Sequence, residues 1–231
     1  ELMSNFELVS SLPLLKKNNQ NFNYITPKLS LRFNPGDMKD YSTSLEKKIN
    51  IDNIFSDNRL GLTDSFESGR SLTLGLDYKK ENLQDINKYF EMKIATVLRD
   101  KTETNIPKIS TINRKGSNLF GSVKNKFSEK FEVDYNFAID NDLKTFEYNS
   151  VQTTFSLNNF ITEFNFVEEN GEMGDNSFLE NSTSITFDEN NFLTFNTRRN
   201  RKIDLTEYYD LVYEYKNDCL VAGIRYKKTY Y

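Results

Sequence analysis

The chain has 231 residues, and its 30 Lys and Arg against 34 Asp and Glu give a net charge of −4. This balance provides no basic field to attract a nucleic acid, so we expect no nucleic-acid partner. There is no histidine and a single cysteine, which excludes His-based general-base catalysis, His-ligated metals and an internal disulfide within these residues.

The apolar content is low and lies mainly in large rings. Only 37% of residues are hydrophobic, while 19 Phe and 13 Tyr bring the aromatic share to 14%. This composition favours strands, and it suits a sheet with one apolar and one polar face. No run approaches 18 apolar residues, which rules out a transmembrane helix, and no signal peptide opens the chain. Because it starts at Glu1, we interpret it as an internal piece of a longer protein.

Apolar and polar residues alternate with a period of two along most of the chain, which places them on opposite faces of a strand. On a helix the same residues would scatter around the axis. The alternation predicts roughly ten to twelve strands. In chain order, the predicted strands include 28–33, 72–78, 90–94, 119–127, 131–139, 146–157, 160–167, 178–187, 192–198, 209–215 and 220–230.

The connections between predicted strands are of two lengths. Short polar links at 140–142, 158–159 and 188–191 force neighbouring strands to be antiparallel. Longer polar stretches at 34–48, 100–115 and 170–176 are expected to be extracellular loops. No linker divides the chain. Residues 1–231 are therefore predicted to form one continuous antiparallel meander, part of a large transmembrane outer-membrane β-barrel.

A soluble antiparallel sandwich or barrel would show the same alternation with its apolar face turned inward. Strand length and ring content favour the membrane barrel. In a barrel whose rings face lipid, the polar residues between them, such as Glu132, Asp134 and Asn136, are predicted to point into a wet lumen.

Two short motifs are similar to known sites, but neither is predicted to be a functional site. Asp140-Asn141-Asp142 is similar to the start of a calcium loop, but Thr145 and Val151 stand where that loop needs Gly and Glu, so a turn is predicted. Residues 181–183 fit a three-residue glycosylation pattern that arises often by chance. With no nucleophile elbow or phosphate loop, we predict no catalytic site, no cofactor and no enzyme activity.

Residues 208–231, YYDLVYEYKNDCLVAGIRYKKTYY, carry a resemblance to a known family. They resemble the C-terminal region of the LptD (OstA) family of lipopolysaccharide-assembly proteins, where a Tyr-rich strand enters an Asn-Asp-Cys turn and a basic, Gly-containing strand follows. Residues 25–33 and 57–78 are similar to mid-barrel segments of that family. Together these stretches cover roughly a quarter of the chain.

The resemblance implies a very large barrel in the bacterial cell outer membrane. A periplasmic jelly-roll domain, which precedes the barrel in family members and receives lipopolysaccharide from a periplasmic bridge protein, would feed the lipid through the barrel to the outer leaflet. An LptE-like lipoprotein plug would occupy the lumen. The chain corresponds to the C-terminal portion of such a barrel, without the jelly roll and the final strand.

The resemblance also assigns a role to Cys219. It aligns with the cysteine that, in the family, joins barrel and periplasmic domain through a disulfide, which the oxidising periplasm permits. Many members have two neighbouring cysteines there, whereas Asp218 and Leu220 flank a single one here. An unpaired thiol is the alternative.

The basic cluster Arg198, Arg199, Arg201 and Lys202 lies at the end of a predicted strand. It is a candidate contact for lipopolysaccharide phosphates through charge-assisted hydrogen bonds. The pattern favours a solvated turn over that contact, because strand ends commonly carry charge.

Three functions therefore compete. The first is a lipopolysaccharide translocon subunit, which acts as a conduit. The second is a porin-like diffusion channel, which would have no need of the Asn-Asp-Cys turn. The third is a soluble β-rich binding or adhesion protein, whose apolar face would be buried.

Overall fold

The computed structural model describes residues 4–230; residues 1–3 and Tyr231, at the ends of the predicted unit, lie outside the described residues. The described residues form an all-β protein with two single-turn 3-10 helices, Lys108–Ser110 and Gly171–Met173. The strands are β1 (Phe6–Ser11), β2 (Leu14–Lys17), β3 (Asn21–Asn34), β4 (Gly69–Asn82), β5 (Tyr89–Arg99), β6 (Leu119–Ser128), β7 (Phe131–Ile139), β8 (Phe146–Leu157), β9 (Phe160–Glu169), β10 (Ser177–Thr186), β11 (Asn191–Asn200), β12 (Leu205–Lys216) and β13 (Val221–Thr229).

All thirteen strands belong to one antiparallel sheet, in which each strand from β3 to β13 pairs with its neighbours in the chain. The predicted all-β antiparallel meander is confirmed. In the described residues β1 and β13 are the two edges and do not pair, so the sheet is open. No helix within residues 4–230 has the length and apolar character to cross a membrane.

The first edge was not predicted. β1 and β2 pair with successive parts of β3 and act as one strand that is interrupted at Leu12 and Pro13. Proline has no N–H to donate to the ladder, which explains both the break and the irregular sequence pattern. The structure therefore has thirteen strands where roughly ten to twelve were expected.

The connections at the two ends of the sheet differ in length. At one end the links are short, with two residues at 129–130 and at 158–159; we call this the short-turn end. At the other end, the long-loop end, segments 35–68 and 100–118 connect the strands. The first loop is longer than the predicted 34–48, and residues 57–68, interpreted as part of a barrel segment, belong to it.

The two faces of the sheet differ in polarity. On β4, Ser71 and Thr73 are buried beneath the long loops, and we call this side the polar face. Leu72 and Leu74 point to the opposite side, the apolar face. Because the ladders from β3 to β5 run without a register shift, the same alternation continues across these strands.

The hydrophobic core lies between the polar face and the two long loops, which together we call the loop cap. Ile49, Ile54, Ile106 and Ile112 of the cap are fully buried. The strands contribute a smaller set to this core: Ala95, Val97, Phe120 and Ala138. Leu60 and Leu62 belong to the same core, so residues 57–68 pack on the sheet as part of the first loop without joining a strand.

A glycine lets the cap approach the sheet closely. The ring of Phe55 lies over Gly75 on β4, so that a Cβ at Gly75 would be 2.6 Å from Phe55 Cζ. Such a distance is too short for any real contact. Any side chain at position 75 would therefore force the Phe55 ring to move away from the sheet.

Candidate functional site: the two faces of the sheet

The apolar face is uncovered over its whole extent in the described residues. Large side chains on it remain accessible at both edges and in the middle of the sheet; Phe164, for example, is 47% exposed. Members from three separated strands are Leu72, Leu74, Leu76 and Tyr78 on β4, Phe131, Val133, Tyr135 and Phe137 on β7, and Tyr209, Leu211, Tyr213 and Tyr215 on β12.

On β4 the apolar face forms a band between two cations. Arg70 and Lys80 point to this face at the two ends of the strand, and the residues between them on the same face are apolar. At ~3.3 Å per residue their Cα atoms are about 33 Å apart. At the strand tilt of about 40° that is typical of outer-membrane barrels, this length would correspond to a band of about 25 Å, the height of their apolar belt.

Polar side chains on the apolar face form hydrogen bonds within the sheet. On β9 and β10 the hydroxyls of Thr162 and Thr183 are 2.8 Å apart. The Asn181 amide donates to Thr162 Oγ1 at 3.0 Å and to the backbone carbonyl of Glu163 at 3.1 Å. Asn181, in the glycosylation-like pattern, is therefore held within the sheet.

The polar face carries charged side chains in compensating pairs. Glu132, Asp134 and Asn136 lie on it, opposite the rings of β7, as the alternation predicts. Lys124 on β6 is 2.7 Å from Glu132 and 3.7 Å from Asp134. Further pairs on this face are Lys28–Asp77, Lys93–Glu91, Arg198–Glu180 and Arg225–Asp210. Around these pairs the face is therefore hydrophilic without a dominant sign of charge.

The basic cluster is divided between the two faces. Arg198 points to the polar face, where it lies 3.3 Å from Glu180 and 2.9 Å from Glu207. Arg199, the next residue, points the other way and pairs with Asp204 at 2.5 Å.

The remaining members of the cluster lie in the turn after β11. Lys202 pairs with Asp175, and Arg201 stacks over the ring of Phe166 at 5.0 Å. Three of the four cations thus have carboxylate partners, which favours a charge-compensated strand end. A phosphate contact of this cluster stays a prediction.

Cys219 lies in the turn between β12 and β13, at the short-turn end. The Asn217 side chain shapes this turn, because its Oδ1 accepts the backbone N–H groups of Cys219 at 3.0 Å and Leu220 at 2.8 Å. The Cys219 thiol is free and exposed. The disulfide predicted for this thiol stays a prediction.

The calcium-like motif is a turn, as predicted. Asp140 Oδ1 accepts the backbone N–H groups of Lys144 at 2.7 Å and Thr145 at 3.2 Å. Within the part of the chain that the structure describes, no group of three or more acidic or cysteine side chains is arranged to hold a metal ion.

A buried ionic cluster anchors the loop cap to the sheet, and it was not predicted. Glu67 accepts hydrogen bonds from Arg59 at 2.6 and 2.7 Å and a further one from Arg99 on β5. Arg59 also donates to Ser71 at 3.0 Å and Thr73 at 2.9 Å. Both guanidinium groups are inaccessible to solvent.

A second part of the cluster ties the edge strand to the cap. Arg32 on β3 donates to Glu7 of β1 at 2.7 and 3.1 Å. The same guanidinium donates to the backbone carbonyls of Ser56 and Asp57 in the cap. One side chain therefore links edge strand, sheet and loop.

The electrostatics of Glu67 predict that the attachment of the loop cap to the sheet becomes less stable at low pH. Burial alone would raise the pKa of this carboxyl, but Arg59, Arg99 and Arg32 outweigh it and lower the pKa to about 2. Because the folded-state pKa lies below the unfolded value, the stabilisation is complete above about pH 4.5 and is lost as the pH falls toward 2.

We expect hydrogen exchange in 35–68, corrected for its intrinsic pH dependence, to accelerate between pH 4.5 and 2.5. The Glu67→Gln variant should lack this acceleration, because it has no carboxyl to protonate. Exchange of the wild-type cap that is unchanged across this range would contradict the role of Glu67.

No protein-family model matches the chain, and no curated protein matches it. The fold and the chemistry of the two faces therefore carry the functional argument.

Proposed function

We propose that the chain is part of an outer-membrane β-barrel. The observation that carries this proposal is the inverted polarity of the sheet, whose apolar face is uncovered while its polar face carries most of the charged pairs of the strands and lies beneath the cap. A soluble sandwich would bury the apolar face against a second layer, and residues 4–230 contain no such layer. In lipid, the hydrogen bonds between neighbouring strands pair the backbone N–H and C=O groups, which have no water to bind there.

The unequal connections support an orientation for this barrel. Outer-membrane barrels have short periplasmic turns and longer extracellular loops. On that basis the loop cap lies outside the cell, and the Cys219 turn lies in the periplasm.

We further propose that this barrel is a lipopolysaccharide translocon of the LptD family. The Tyr-rich β12, the Asn-Asp-Cys turn and the basic β13 support the proposal, because the exposed Cys219 lies at the end that would face a periplasmic jelly roll. A hydrophilic face also suits the passage of a charged, sugar-rich head group, which is costly to desolvate in hydrocarbon. The LptE-like plug and the bridge protein are partners under this proposal.

In this function the chain acts as a conduit, and its residues hold shape and polarity without performing chemistry. A porin-like channel is the second candidate, because the loop cap folds onto the polar face and would narrow a lumen there. The two candidates differ in what crosses the barrel.

The translocon proposal is tested by depleting the intact protein and then labelling surface lipopolysaccharide on intact cells. We expect loss of the surface label and accumulation of the lipid in inner compartments. Unchanged surface label with slower uptake of small solutes would contradict the translocon and favour the channel.

The cysteine gives a separate prediction. We expect the intact protein to contain an interdomain disulfide through Cys219, so that its band on a non-reducing gel shifts upon reduction. The Cys219→Ser variant should run as the reduced form under both conditions. A wild-type band that does not shift, with Cys219 freely alkylated, would show that the thiol is unpaired.

A further inference from the structure

The apolar face has a shallow depression of about 700 Å³ at the long-loop end, beside the edge strand β1. Leu31, Leu72 and Leu98 form its floor on the neighbouring strands β3, β4 and β5. Phe6 and Phe33 stack at its rim with ring centroids 6.4 Å apart. A floor of leucines with an aromatic rim fits acyl chains.

A cation stands at the same rim. The Arg70 guanidinium lies over the Phe33 ring, 5.1 Å from its centroid, and Arg70 is exposed to solvent. Among residues 4–230, Arg70 forms no ion pair. Asp100 also lines the depression and is exposed. An arginine above an apolar floor, at the boundary of the belt, suits a phosphate whose acyl chains lie below it.

We propose that this depression binds one phosphorylated, multiply acylated lipid, the lipid anchor of a lipopolysaccharide molecule in the outer leaflet. Its phosphate would pair with Arg70, and its acyl chains would cover the leucine floor. The inference rests on the proposed membrane function, which places the long-loop end in the outer leaflet. The site is separate from the polar face, because the side chains that form its floor and rim project from the opposite side of the sheet.

The test uses the intact protein in mild detergent and measures lipid binding by native mass spectrometry. The probes are lipid A with both phosphates and the same lipid with its phosphates removed. For the wild type we expect phosphate removal to weaken binding about tenfold, the effect of losing a charge-assisted hydrogen bond. Arg70→Gln should weaken binding of phosphorylated lipid A by the same factor and make binding insensitive to phosphate removal.

Two further variants serve as controls. Lys80→Gln removes a cation from the same face of β4 at its other end, and it should leave lipid A binding unchanged. Asp100→Asn should strengthen binding, because it removes a negative charge near the phosphate. Unaltered heat-modifiable migration of each variant shows that the barrel still folds.

Equal binding of phosphorylated lipid A by the wild type and Arg70→Gln would overturn the proposal. Phosphatidylglycerol binding as tightly as lipid A, with the same dependence on Arg70, would overturn the stated occupant. Neither result bears on the proposed translocon function, because surface labelling of cells tests that function separately.

Discussion

The Glu67→Ala variant is expected to release the loop cap from the sheet while the strands remain paired. Removal of this carboxylate leaves the buried guanidinium groups of Arg59 and Arg99 without a counter-ion. Breaking a buried pair in this way costs about 3 to 5 kcal/mol. Hydrogen exchange of the intact protein in detergent should show loss of protection in 35–68 and retained protection in β7 to β12.

Asp64→Ala is the matched control, since it removes a carboxylate from the same loop. Asp64 pairs with Lys39 at 2.6 Å, but both side chains are largely exposed to solvent. Solvent-exposed pairs contribute little to stability, so the cap should stay protected. If both variants lose the same protection, the buried cluster is not what holds the cap.

The Phe164→Arg variant is expected to reduce strongly the amount of folded protein in the outer membrane. Phe164 lies in the middle of β9 on the apolar face, and an arginine on the lipid side near the midplane costs about 2 to 4 kcal/mol. Heat-modifiable migration of the protein from isolated outer membranes measures the folded fraction.

The neighbouring position provides the control for this change. Asn165→Arg places the same side chain one residue along β9, at nearly the same depth, on the polar face beside Glu180. The Asn165→Arg variant should leave the amount of folded protein in the outer membrane almost unchanged. If Phe164→Arg is tolerated as well as Asn165→Arg, Phe164 faces water, because exposed surface substitutions in water usually change stability by at most about 0.5 kcal/mol.

Local pattern was sufficient to predict most of the sheet. In β7, Phe131, Val133 and Tyr135 are each followed by a polar residue, and this two-residue period is a property of neighbouring positions that needs no distant contact. The turn around Asp140 was predictable for the same reason, since its hydrogen bonds reach only five residues along the chain.

The cap and its anchors depend on residues far apart in the chain. Glu67 contacts Arg99, 32 positions away, and Lys48 pairs with Glu169, 121 positions away. Nothing near either residue in the sequence indicates its partner. The buried isoleucines of 35–68 likewise have no strand or helix period, because they pack on a surface formed by other segments.

Spin labels on consecutive β7 positions test whether the apolar face contacts lipid. In a Cys219→Ser background, single cysteines would replace Val133, Asp134, Tyr135 and Asn136 in the intact protein in bilayers. We expect labels at Val133 and Tyr135 to collide with oxygen, which dissolves in lipid, and labels at Asp134 and Asn136 with a water-soluble nickel chelate. Labels at Val133 and Tyr135 that respond to the chelate, or to neither reagent, would show that the apolar face does not contact lipid.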